Sequence, residues 1–360
     1  MSSKINGCYE GFIHKSLQAN EIQLKLRVDV GGKRSLNVMS GDIYCKSGKT
    51  RNYLSSFIFQ DIRKFKRKDE IVLVGESGNF DPQSETFTRF RVRILLRSSP
   101  FIAEVSWADS SGIESRCLCK HRSEYFRSVQ LQNDCEEGVV PFNFYDASIL
   151  PYPAQNHPCL ITLADAYAEA GIEITSSMKA KKPVPHPKQT NERGSVWTDK
   201  ALQEVMAKRF DNLGKQLQWK IWLLSAFEYE IPDVKGIMLF DAEQKKSGCA
   251  VFHRAIGEES NEEKRMMLFV YVHELGHCFN LQHPWIKTEK KYLGSSEGYS
   301  SLSWMTCPQR YYSSLSAYGE AAFWKNFQFR FSDSELIHLR HGFRNDVMFG
   351  CCKSEKDETD

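Results

Sequence analysis

The sequence predicts an α+β chain: an antiparallel β-sandwich or barrel over residues 1–135, a linker over 136–158, and a second domain over 159–350 built on one long helix. Three observations carry that expectation. Residues 22–30, and nearly all of 87–94, alternate apolar and polar side chains, as a sheet with one solvated face requires. Glu136-Glu137-Gly138, Pro141, Pro151 and Pro153 then interrupt the pattern. Beyond them helical and strand patterns mix, and the longest apolar run of the chain, Met266 to Val272, lies inside a helical one.

In the first domain, further strands are expected at 56–60, 70–75, 102–107 and 125–131, with turns at Gly31-Gly32, Ser77-Gly78-Asn79 and Ser110-Ser111-Gly112. Lys25, Arg27, Arg89, Arg91 and Arg93 fall on polar faces, and the stretch from Arg63 to Lys68 adds a basic run with one aromatic. They read as a solvated sheet face whose charge discourages edge pairing. The functional alternative is a surface for an anionic partner. No nucleic-acid-binding motif accompanies these residues, and the domain is the candidate for docking a protein partner.

The second domain opens with an expected helix at 159–170 and a strand at 172–175. A basic, proline-rich loop follows at 178–197, with His186 on its surface. Thr198-Asp199 offers a cap for a helix over 201–213, and short apolar runs at 219–227, 235–240 and 248–252 read as separate elements, the last two as strands. Ser260 with Glu262 and Glu263 is a good helix start, because a side-chain oxygen and acids suit the free N–H groups there. Residues 329–342 read as a capped terminal helix. His338 and His341 lie in its last turn, where imidazoles suit the helix dipole, and residues 351–360 form a charged tail.

The totals are those of an ordinary soluble globular chain: 360 residues, 41% hydrophobic, 26% charged and a formal charge of +3. Such a charge implies neither nucleic acid nor an anionic membrane. No apolar run reaches the ~20 residues of a membrane span, and the first residues have no signal-peptide core. Eleven cysteines, an odd number without zinc-finger spacing, favour reduced thiols and a cytoplasmic setting, with leaderless export as the alternative.

The chemistry concentrates in His273-Glu274-x-x-His277-x-x-Asn280-x-x-His283. At ~3.6 residues per turn, positions four apart share a helix face, so His273 and His277 can address one ion with Glu274 beside it. His283 joins them only if the chain turns back after about residue 279. Asn280 suits that turn, since asparagine tolerates positive φ better than most residues. Three neutral nitrogens and an open fourth position describe a catalytic zinc site, with one Zn2+ and Glu274 as general base.

This pattern resembles the metzincin metallopeptidases, whose long zinc motif is followed by a methionine turn. The matching residue is Met305 in Ser303-Trp304-Met305-Thr306-Cys307-Pro308, 22 residues beyond His283. The resemblance implies a zinc endopeptidase acting on a protein or peptide, with Met305 beneath the metal. Asn280 stands where the family usually has glycine, and Cys307 where some members have tyrosine, leaving Tyr311 and Tyr312 as candidate oxyanion helpers. In the family the strand before the metal helix is an edge that pairs with extended substrate. That makes Gly248, Cys249, Ala250, Val251 and Phe252 candidates for substrate binding, against a strand inside the sheet. The rival functions are a binding or scaffold protein with a structural zinc, and a zinc amide or ester hydrolase acting on a small molecule.

Overall fold

The computed structural model describes residues 5–13, 21–32, 34–47, 50–75, 78–80, 87–96, 98–109, 112, 114–153, 160–176, 182–192, 194–210, 219–241, 246–286, 298–312 and 318–348. The charged tail lies outside the described residues. The fold is mixed, with a large curled antiparallel sheet in the N-terminal region. The chain divides into two units. The first comprises Met1–Ser128, Gly171–Glu173 and Leu336–Arg344; the second holds the remainder.

Among the described residues the first unit is built on ten strands: β1 Gly7–Ile13, β2 Glu21–Asp29, β3 Val38–Ser47, β4 Thr50–Phe59, β5 Ile62–Lys66, β6 Glu70–Gly75, β7 Gly78–Phe80, β8 Phe87–Leu95, β9 Ile102–Asp109 and β10 Glu114–Ser123. They form one sheet in the order β5-β6-β8-β9-β10-β1-β2-β3-β4-β7 rather than two stacked sheets. The sheet curls because its apolar face must bury itself. Phe57 of β4 meets Phe90 of β8 at 4.7 Å between ring centroids, and Phe59 stacks on Phe90 at 5.1 Å. Leu24, Leu26 and Val28 of β2 and Val92 and Ile94 of β8 fill the same core. Gly78 lies in a strand, not in the turn expected at 77–79.

The expectation of a solvated polar face is corrected at Arg27. Arg27 is 2% exposed and binds Asp42 through both guanidinium ends, at 2.6 and 2.9 Å. Residues 336–344 cover this part of the sheet. Arg340 donates to Asp29 at 2.9 Å, His341 lies 2.9 Å from Ser40 Oγ and 3.3 Å from Asp29, and Arg127 donates to the carbonyls of Arg340 and Gly342. Lys25 is half-buried and pairs with Glu10, Arg93 pairs with Glu70 and Glu104, and Arg91 is exposed. The side chain of Arg89 lies outside the described residues. The basic run on β5 does occupy a sheet edge, exposed at four of its five positions.

Burial pushes the His341 imidazole down to about 4, against the opposing pull of Asp29. The unfolded chain therefore takes up this proton first. Stability should fall as pH drops below the ordinary value of 6.5, and this source of loss should end near 4. Thermal melts across that window should show a shallower fall in Tm for His341→Gln than for the parent. Equal slopes would remove His341 as the cause.

The second unit carries β11 Arg127–Cys135, β12 Tyr145–Asp146, β13 Leu160–Ile161, α1 Leu163–Glu169, β14 Ile172–Ser176, β15 Thr190–Asn191, β16 Gly194–Ser195, α2 Asp199–Arg209, β17 Trp219–Ala226, β18 Gly236–Asp241, β19 Lys246–Phe252, α3 His253–Ile256, α4 Asn261–Cys278, α5 Glu320–Asn326, α6 Asp333–His341 and α7 Arg344–Met348, with α6 running into the first unit. Its sheet has the order β14-β11-β17-β19-β18. β11, whose first residues the sequence groups with the N-terminal strands, pairs in parallel with β17, while β18 runs antiparallel to β19. Glu136, in the expected linker, is buried and accepts from Trp197 Nε1 at 2.8 Å. α4 packs against β17, β18 and β19, which fixes the helix that carries the histidines.

Candidate metal centre

α4 begins as its sequence requires. Ser260 accepts from the N–H of Glu263, and the Glu263 carboxylate accepts from the N–H of Ser260, closing a capping box. Its middle is buried through Met267, Leu268, Phe269, Val270, Tyr271 and Val272, so the helix is anchored on most of its circumference before the first histidine.

The end of α4 brings His283 back. Asn280 adopts φ 61, its N–H donates to His277 O at 2.8 Å, and the Leu281 N–H donates to Gly276 O at 3.1 Å. Those two bonds are a Schellman cap, with asparagine in the left-handed position that glycine usually fills. The Asn280 side chain adds a bond to Asp346 O at 2.5 Å.

The three imidazoles then converge. His273 Nε2 lies 3.1 Å from His277 Nε2 and 3.1 Å from His283 Nε2. Nitrogens held at 2.0–2.1 Å on a tetrahedral zinc would stand about 3.3 Å apart, so the set fits that ion. The protons are placed accordingly. His273 Nδ1 donates to Trp304 O at 2.7 Å and His277 Nδ1 to Leu281 O at 2.8 Å, which leaves the Nε2 lone pairs of both directed at the common point. Burial, then the neighbouring His277, pushes His273 down to about 3, so this imidazole is neutral near pH 7. Facing lone pairs at this distance repel one another, and a cation between them removes the conflict. Among the described residues this is the group of histidines, cysteines and acids whose ligand atoms lie close enough to share an ion.

Met305 lies under the helix, fully buried. A methyl group added at Gly276 would come within 2.4 Å of Met305 Sδ, so the absence of a side chain between the two histidines is what admits the methionine. The surrounding turn is fixed by Ser303, which accepts from the Met305 N–H at 2.9 Å and donates to Glu335 at 2.9 Å. Glu274 is 8% exposed and faces β18. A methyl group at Gly236 would stand 2.7 Å from its carboxyl carbon and from Oε1.

The expected substrate strand requires correction. β19, containing Gly248, Cys249, Ala250, Val251 and Phe252, is buried at every position and sits between β17 and β18, so its backbone groups are already paired. The edge is β18, whose outer side has no strand partner among the described residues. Tyr311 is 5% exposed with its ring 5.8 Å from Phe323, and Tyr312 is 58% exposed with its N–H on Tyr299 O. Neither hydroxyl makes a hydrogen bond among the described residues.

Sequence reasoning also missed an aromatic ladder. Trp285 stacks on His283 at 4.6 Å and 11°, Tyr299 stacks on Trp285 at 5.2 Å, and the Arg310 guanidinium lies 5.6 Å from the Trp285 ring. Trp285, two positions beyond the third histidine, was the one local signal for it.

No protein-family model matches the chain, and no curated protein matches it. Among the described residues no helix is long and apolar enough to cross a membrane.

Proposed function

We propose that the chain is a zinc-dependent endopeptidase of the metzincin type, with His273, His277 and His283 as ligands to one Zn2+ and Glu274 as general base. The observation that carries this reading is the convergence of three imidazole nitrogens, two of the pairs 3.1 Å apart, with His273 and His277 on the helix that also presents Glu274. A zinc ion held there would supply acidity to the attacking water and positive charge to the scissile carbonyl. Glu274 would take the water's proton at its carboxylate and return it to the departing amine nitrogen. Trp304 O and Leu281 O hold the imidazoles in the tautomer that ligation needs. Met305, fully buried, packs against Gly276 between the two helix histidines.

The edge of β18, which has no strand partner among the described residues, favours a polypeptide substrate over a small molecule. It begins at Gly236 beside Glu274, and an exposed edge offers alternating backbone donors and acceptors to an extended chain. On this reading β18 takes the role expected of residues 248–252.

The purified protein should contain one zinc per chain and cleave a denatured protein or a peptide library. Chelation should abolish cleavage and added zinc should restore it. Stoichiometric zinc with no cleavage of any polypeptide would move the protein to the scaffold class. Chelator-sensitive turnover of small amides or esters alone would make it a small-molecule hydrolase.

A further inference from the structure

The solvated face of the N-terminal sheet is hollowed into a trough of about 1170 Å³ that spans six strands from β6 to β2. Register explains what lines it. Arg93 of β8 stands opposite Glu104 of β9, Glu104 opposite Leu118 of β10, and Leu118 opposite Phe12 of β1. Leu118 is 65% and Phe12 36% exposed, so the middle of the trough presents an apolar cross-strand pair to solvent.

The charges around that pair are unevenly satisfied. Six cations line the trough against four carboxylates. The carboxylates are engaged: Glu70 with Arg93 and Arg67, Glu104 with Arg93, Glu10 with Lys25, and Glu114 with Arg116. Arg91, Lys120 and Arg122 are exposed and have no carboxylate partner among the described residues. The free charge is therefore wholly positive and surrounds an apolar centre.

We infer that this trough is a docking site for a polypeptide segment that carries an apolar side chain flanked by carboxylates. The apolar residue would cover Leu118 and Phe12, and the acids would meet Arg91, Lys120 and Arg122. A nucleic acid fits less well: a continuous phosphate backbone would run over four carboxylates, and the centre offers a leucine rather than a stacking platform. The inference is independent of the zinc site.

The test uses the full chain and a fluorescein-labelled peptide with two leucines between runs of glutamate. Beside it go the same peptide with lysines in place of glutamates, and a single-stranded oligonucleotide. Saturable binding of the acidic peptide is expected, weakening as salt rises. Leu118→Glu and the double variant Arg91→Glu with Arg122→Glu should each weaken it by about tenfold or more, equivalent to about 1.4 kcal/mol. All three positions are exposed, so these variants should melt at the parent temperature. Chelation should leave the affinity unchanged, which separates the trough from the zinc site. No binding of the acidic peptide, binding indifferent to these substitutions, loss of binding on chelation, or tighter binding of the oligonucleotide would each overturn the inference.

Discussion

Glu274→Gln is expected to keep its zinc and to lose peptide hydrolysis by roughly 10²- to 10⁴-fold, the range attributed to a positioned general base. The substitution preserves shape, so the packing of residue 274 against Gly236 survives, and only the capacity to take a proton is removed. The loss should appear in kcat, because on the proposed mechanism the carboxylate acts on the water rather than on the bound chain. His283→Ala provides the contrast. It removes one of three ligands and should empty the site of metal as well as abolish turnover, since two imidazoles cannot complete the set that holds the ion. Elemental analysis beside initial rates distinguishes the two. A fully active Glu274→Gln protein would end the proton-transfer assignment, and a His283→Ala protein with full zinc occupancy would end the three-ligand assignment.

Gly236→Val should lower kcat by about 10²-fold while zinc content and melting temperature stay near those of the parent. The position lies in a strand whose backbone suits a β-branched residue, so the substitution carries no conformational penalty of its own. Its first side-chain carbon, however, would meet Glu274 Cγ at 2.5 Å and Oε1 at 2.7 Å. The glutamate is the softer partner and must move, and displacement of a reacting group by about 1 Å can cost that factor. On the proposed mechanism Gly236 is thus a positioning residue, and Gly236→Ala should show a smaller loss of the same kind. Undiminished turnover in Gly236→Val with zinc bound would mean that the observed seat of Glu274 is not the working one.

The candidate site was legible where its determinants are local. The Ser260 to Glu263 cap, the apolar middle of α4, the four-residue spacing of His273 and His277 and the turn at Asn280 all lie within 24 consecutive residues, and the structure joins them as their spacing requires. Legibility failed where a partner is distant in sequence. Nothing in residues 236–252 says which of two short apolar strands lies inside. That depends on β17 claiming the far side of β19. Alternation in residues 22–30 revealed a polar face but not its cover, because Arg340 and His341 reach Asp29 across more than 300 positions. The same limit hid β11, whose parallel partner begins about 90 residues further on.

The cover over Arg27, Asp29 and Asp42 also sets a schedule. The segment that completes the N-terminal unit begins at residue 336, some 200 residues after its last strand. At ribosomal rates of about 5–20 residues per second, the nascent sheet waits roughly 10 to 40 seconds before these charges can be sealed. Until then their buried arrangement lacks Arg340 and His341. Native assembly of the front of this chain therefore waits on residues made long after it, and a fragment ending near residue 135 would lack part of its own fold.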